Sequence, residues 1–121
     1  MEDIALPNLQ QNVIDLAELL KLHNGGKVQV LDLKSIDFWT DYFIIVTATS
    51  STHAFGLLKR VKDFLKERKI EALRSMVGSQ DDDWNLMDCG DFVVHVMSER
   101  ARDFYELEKL WFQAKTIYRS E

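Results

Sequence analysis

Residues Trp84 to Trp111 read WNLMDCGDFVVHVMSERARDFYELEKLW. Two β-favouring runs, Trp84–Asp88 and Phe92–Met97, flank Cys89-Gly90, and that spacing predicts an antiparallel hairpin. Ser98 stands where an N-cap belongs, ahead of a helix whose apolar stripe is Phe104, Leu107 and Trp111 with Tyr105 beside it. The stripe assigns Tyr105, Leu107 and Trp111 to the core. Few side chains in this stretch carry catalytic chemistry, while large apolar and aromatic ones abound. A surface gripped by another protein needs such side chains, because aromatic anchors dominate interface energetics.

Outward from the hairpin, Tyr42-Phe43-Ile44-Ile45-Val46-Thr47-Ala48 is nearly continuous in β-favouring residues, as expected of a central strand covered on both faces. Thr49-Ser50-Ser51-Thr52 supplies candidate caps for a following helix. Its buried face is Ala54, Leu57, Leu58, Val61, Phe64 and Leu65. Nearer the N-terminus, Leu9, Val13, Leu16 and Leu20 form one helical stripe that stops near Asn24-Gly25-Gly26. Val28–Leu33 reads as a strand, and Ser35–Thr40 as a loop displaying Phe38 and Trp39. A short strand is expected around Ala72–Ser75, then a loop by composition from Gly78 to Asp83. The tail after Trp111 is expected to extend the last helix or fray.

The predicted order αββαβββα gives an α/β fold: a single domain with a mixed β-sheet of about five strands and helices packed on it. The chain divides into an arm at 1–7, a domain at 8–112 and a tail at 113–121. A length of 121 residues suits one domain, and 46% hydrophobic with 29% charged residues suits a soluble globular class. No apolar run approaches the ~20 residues of a membrane helix. The acidic start, Met1-Glu2-Asp3, lacks the features of a signal or transit peptide. With a lone cysteine, Cys89, this places the expected location in the cytoplasm.

The net charge is −5, and it is unevenly spread. Lys59, Arg60, Lys62, Lys66, Arg68 and Lys69 cluster against only Asp63 and Glu67, and Asp81, Asp82, Asp83, Asp88 and Asp91 follow with no base among them. An acidic domain repels a phosphate backbone unless one face reverses the sign, so little direct RNA binding is expected. A basic protein facing the aspartates is the better partner.

The catalytic inventory is nearly empty. Gly78-Ser79 followed by Asp81-Asp82-Asp83 suggests a nucleotidyl-transfer metal site. Consecutive aspartates directly after Gly-Ser leave no strand and turn to aim two carboxylates at one metal, and a solvated acidic loop accounts for them better. His95 reads as a hydrogen-bonded sheet histidine, since a general base needs an orienting carboxylate and a proton within reach. Cys89 lies between Asp88 and Asp91, which raise a thiol pKa rather than lower it. No catalytic residue, metal ligand or cofactor is therefore assigned.

Thr40-Asp41-Tyr42-Phe43-Ile44-Ile45-x-Thr47 with Ser50-Ser51 resembles a stretch of the ribosomal silencing factor (Iojap) family. So does Trp84-x-Leu86-x-Asp88-x-Gly90-Asp91-x-Val93-Val94-His95-Val96, followed by Arg102 and Tyr105-x-Leu107-Glu108-x-Leu110-Trp111. Ala48 stands where the family usually has Gly, and Ser75-Met76-Val77-Gly78 departs from its usual Val-Glu-Gly-like stretch. The resemblance implies a nucleotidyltransferase-like topology without that activity. It also implies binding to the large ribosomal subunit through the subunit-interface protein numbered fourteen, which blocks the small subunit from joining and represses translation. On that reading Arg74, Trp84, Leu86, Met87 and Asp88 form the partner contact, with Trp84 the apolar anchor and Asp88 facing a basic side chain. The alternative is a nucleotide-binding or nucleotidyltransferase-type enzyme with a metal site at Asp81–Asp83. A homodimer away from the ribosome is compatible with the first reading.

Overall fold

The run from Tyr42 to Ala48 is buried at every position, and the structure is organised around it. The computed structural model describes residues 8–76, 83–110 and 113–120. In chain order these form α1 (Leu9–Leu22), β1 (Gly26–Asp32), a 3-10 turn (Lys34–Ile36), β2 (Tyr42–Ala48), α2 (Ser51–Glu67), β3 (Arg74–Met76), β4 (Trp84–Asp88), β5 (Phe92–Ser98), α3 (Glu99–Tyr105), α4 (Leu107–Leu110) and β6 (Lys115–Arg119). The mixed sheet has the order β3-β4-β5-β2-β1-β6. β2 and β5 run parallel at its centre, and the other neighbours pair antiparallel.

Strand alternation divides the apolar residues between two cores. Tyr42, Ile44, Val46, Phe92, Val94, Val96 and Met87 pack against α1 and α2. Phe43, Ile45, Val93 and Met97 face the other way, where Ala101 of α3 and Leu107 of α4 cover part of the sheet. The three longer helices start at side-chain caps. Asn8 Oδ1 accepts from Gln11 N at 2.8 Å, Ser50 Oγ from His53 N at 3.0 Å and Ser98 Oγ from Ala101 N at 3.0 Å. Gly25 lets β1 leave α1 close beside the sheet, since a Cβ there would lie 2.7 Å from the Leu20 carbonyl oxygen. Gly90 turns the β4–β5 hairpin at φ +84°.

Two local expectations are corrected. The tail neither frays nor extends the helix: β6 pairs with β1 and makes a sixth strand. Val28 N donates to Ser120 Oγ at 2.9 Å and Ser120 N donates to Val28 O at 2.8 Å, so the tail closes backbone valences that the β1 edge would otherwise leave open. The last helix is also not continuous, because Glu106 adopts a left-handed conformation at φ +47° and separates α3 from α4. Leu107 beyond the break is buried, as the stripe required, but Phe104 before it is 77% exposed and Tyr105 45%. Trp111, Phe112, Gly78, Ser79, Asp81, Asp82 and the arm at 1–7 lie outside the described residues.

Candidate docking face

α1 and α2 pack on one side of the sheet, and among the described residues α3 and α4 cover only part of the other. Trp84 and Leu86 stand half-buried on β4 at the part of that second face that these helices leave uncovered. Among the described residues, seven rings run across it in unbroken sequence. Trp84 packs on Tyr105 with ring centroids 4.6 Å apart, and Tyr105 meets Phe104 edge to face at 5.0 Å. In the other direction Trp84 lies 5.9 Å from His95, and His95 contacts Phe43 edge-on at 4.4 Å. Phe43 then meets Phe38 at 5.8 Å, and Phe38 meets Trp39 at 5.5 Å. Each such contact contributes roughly 0.5–1.5 kcal/mol beyond area burial, so the row is held in place before anything binds. Its middle is buried and its ends are open: Phe104 at one end and Trp39, 63% exposed, at the other.

His95 is the pivot. Its Nδ1 accepts from Trp84 Nε1 at 3.0 Å, which sets the Trp84 indole orientation and leaves the imidazole proton on Nε2. Nε2 is buried and has no hydrogen-bond partner among the described residues. Burial pushes the His95 pKa down to about 4, so the ring is neutral at physiological pH. It is a hydrogen-bonded sheet histidine, as its strand position indicated.

Of the five sequence-predicted contact residues, the structure brings Trp84 and Leu86 to this face. Met87 alternates to the opposite side and is fully buried against the helices, which withdraws it from any partner contact in this conformation. Asp88 is withdrawn too. It is buried, and its Oδ1 accepts from Gly90 N at 2.9 Å, so its carboxylate builds the hairpin turn rather than facing outward. The Arg74 backbone pairs opposite Asp88, and its side chain is not among those described. Tyr105 was assigned to the core, but it stacks on Trp84 at the surface. Acidity is supplied by other residues: exposed Asp37 and Asp91 with half-buried Asp41 near Trp39, and exposed Asp103 near Phe104.

Around the face the polar chemistry is structural. Arg102 is buried and donates to Thr47 Oγ1 at 2.9 Å, tying α3 to the end of β2. Burial, with Asp88 nearby, pushes the Cys89 thiol up to about 12, far from nucleophilic range. A cleft of about 500 Å³ opens at the carboxyl ends of the parallel strands β2 and β5, where α/β sheets commonly take ligands. Asp83, at its rim, is ion-paired with Arg100, and hydrogen bonds from Arg100 and Ser98 hold its pKa below the usual carboxylate value. Among the described residues no three His, Cys, Asp or Glu side chains stand together as metal ligands, and no helix is long and apolar enough to cross a membrane.

Comparison with known proteins gives one consistent family. The family model described as "Ribosomal silencing factor during starvation" matches residues 7–121. The Bacillus subtilis ribosomal silencing factor is 36% identical over 87 residues, 72% of this chain and 73% of its own length. The mouse protein named for mitochondrial assembly of the ribosomal large subunit is 33% identical over 98 residues, 79% of this chain but only 43% of its own. Among solved structures, a Chromobacterium violaceum protein superposes with a TM-score of 0.76 at 31% identity, covering 90% of this chain and 88% of that one. With its sheet, its helices and nearly its whole length accounted for, the chain belongs to the ribosomal silencing factor family.

Proposed function

We propose that the chain is a translational repressor that docks its aromatic face on a basic protein of the large ribosomal subunit, at the surface where the small subunit joins. The observation that carries this reading is the ring row itself. Trp84 is oriented by His95 and backed by Tyr105, with apolar rings left open at both ends and carboxylates around them. Hot spots are typically such pre-ordered aromatic anchors, and a rim of one charge sign selects a partner of the other. The family and the mouse relative's printed name point to the large subunit. The protein numbered fourteen, which the sequence resemblance implies, is the proposed partner. Repression then follows from occupied space: a domain seated at the joining surface excludes the small subunit without any chemistry.

The test is sedimentation of the purified protein with separated subunits, followed by cross-linking and mass identification of the neighbour. The protein is expected in the large-subunit fraction, cross-linked from the Trp84 face to a basic interface protein. Equal sedimentation with small subunits, or cross-links from α1 and α2 alone, would overturn the assignment.

A further inference from the structure

The helix on the other side of the sheet carries the opposite charge. The chain has 15 basic and 20 acidic residues, and six of the bases but only two of the acids fall between Lys59 and Lys69. The fold arranges them. Ala54, Leu57, Leu58, Val61, Phe64 and Leu65 turn inward from α2, so Lys59, Arg60, Lys62 and Lys66 are exposed on its outer side, with Lys69 exposed just past its end. Phe55, Lys59, Lys62 and Lys66 stand at i, i+4, i+7 and i+11, one stripe along the helix axis. Phe55 is 50% exposed, at the start of the stripe.

Lys59 has an exposed partner, Asp63 at 3.6 Å, while Arg60, Lys62, Lys66 and Lys69 make no ion pair among the described residues. The neighbouring α1 shows no such bias, exposing Gln10, Gln11, Glu18 and Lys21. Solvation alone is served by mixed charges. A stripe of lysines led by an open aromatic ring, with Lys62 and Lys66 making no ion pair among the described residues, is in an acidic chain the footprint of a phosphate backbone with a base-stacking platform.

We infer that the outer face of α2 is an RNA-contact surface, separate from the aromatic face, that holds the backbone of ribosomal RNA. This goes beyond the docking reading and departs from the expectation of little direct RNA binding. The acidic chain does reverse its sign on one face.

The test neutralises Lys62, Lys66 and Lys69 together (Lys62→Gln, Lys66→Gln, Lys69→Gln), all exposed, so circular dichroism and melting are expected to match the wild type. Binding to purified large subunits is measured from 50 to 200 mM salt. Each lost phosphate contact lowers the slope of log K against log salt by about 0.7–0.9. The wild type should therefore lose about twenty- to fortyfold more affinity across that range than the triple variant. Protein-free large-subunit RNA, titrated at low salt, should bind the wild type and Trp84→Ala alike and the triple variant about tenfold more weakly. That arm does not depend on the docking face, so the two readings fail separately. An unchanged salt slope overturns the inference. A changed slope without any difference on protein-free RNA overturns it too, and assigns the stripe to an acidic protein.

Discussion

Replacing Tyr105 with alanine removes the ring that backs Trp84 on the aromatic face. Tyr105 ends α3 and is 45% exposed, so nearly half of its surface remains to be buried by a partner. A Tyr side chain buries about 150–250 Å² when fully enclosed, which leaves roughly 70–110 Å² for the interface. At about 25 cal/mol per Å² this amounts to roughly 1.8–2.8 kcal/mol, about a twenty- to hundredfold loss of affinity. The folded chain loses the ring contacts with Trp84 at 4.6 Å and Phe104 at 5.0 Å but opens no buried cavity. The part of the ring already buried in the fold, roughly 80–140 Å², adds roughly 2–3.5 kcal/mol to the cost in stability, beyond about 0.5–1.5 kcal/mol per ring contact. The assay is a titration of labelled protein with purified large subunits, paired with a denaturant melt of each variant. An affinity within twofold of wild type in a folded Tyr105→Ala protein would refute the placement of this ring in the interface.

The remaining predictions concern the scaffold. His95 takes up its proton less readily folded than unfolded, because burial lowers its pKa from 6.5 to about 4. Its contribution is therefore complete above the unfolded pKa and is lost as pH falls from 6.5 toward 4. About 2 kcal/mol of stability should go by pH 5. Denaturant melts at pH 7 and pH 5 alongside an imidazole titration by NMR check this, and titration near 6.5 in the folded protein would contradict it. Phe104→Ala should cost no more than about 0.5–1.5 kcal/mol, the worth of its ring contact with Tyr105, where a core phenylalanine costs about 3–5 kcal/mol. A melt that drops by the larger amount would restore Phe104 to the core. Ser120→Ala should cost about 1–3 kcal/mol by stranding the buried Val28 N–H, with Ser120→Thr retaining most of it. An unchanged melt would show that β6 contributes little to the β1 edge.

What the sequence made legible follows from where its signals are strong. The β4–β5 hairpin and the β2 strand carry long apolar runs, and Ser50 and Ser98 occupy cap positions, so each formed close to where it was expected. β6 was not legible because Lys115-Thr116-Ile117-Tyr118-Arg119 is an edge strand with only Ile117 and Tyr118 half-buried, which leaves no periodic apolar pattern. The break at Glu106 was hidden as well, since a glutamate in a left-handed conformation has no residue signature. Missing that break carried Phe104 and Tyr105 into the core on paper, although the structure turns them outward. On the candidate face, Trp84 and Leu86 were readable as accessible strand positions and Trp39 as a displayed aromatic, while Phe38 is half-buried. Met87 and Asp88 were misplaced although strand alternation was available to sort Trp84 and Leu86 from Met87, and an aspartate two residues before a turn glycine is a known turn-builder. The outer face of α2 was legible too, because the apolar stripe from Ala54 to Leu65 puts the basic residues on the other side of the helix, where Lys59, Arg60, Lys62 and Lys66 are exposed.

The central claim is exclusion by occupancy, and subunit joining measures it directly. Purified large and small subunits are mixed at a magnesium concentration that favours association, and joined particles are followed by light scattering as the protein is added. The account predicts that joining falls in proportion to large subunits occupied and reaches a floor near one protein per particle. Tyr105→Ala and Trp84→Ala should shift the curve to higher concentration without changing its floor. Undiminished joining at concentrations where every large subunit carries the protein would contradict the claim.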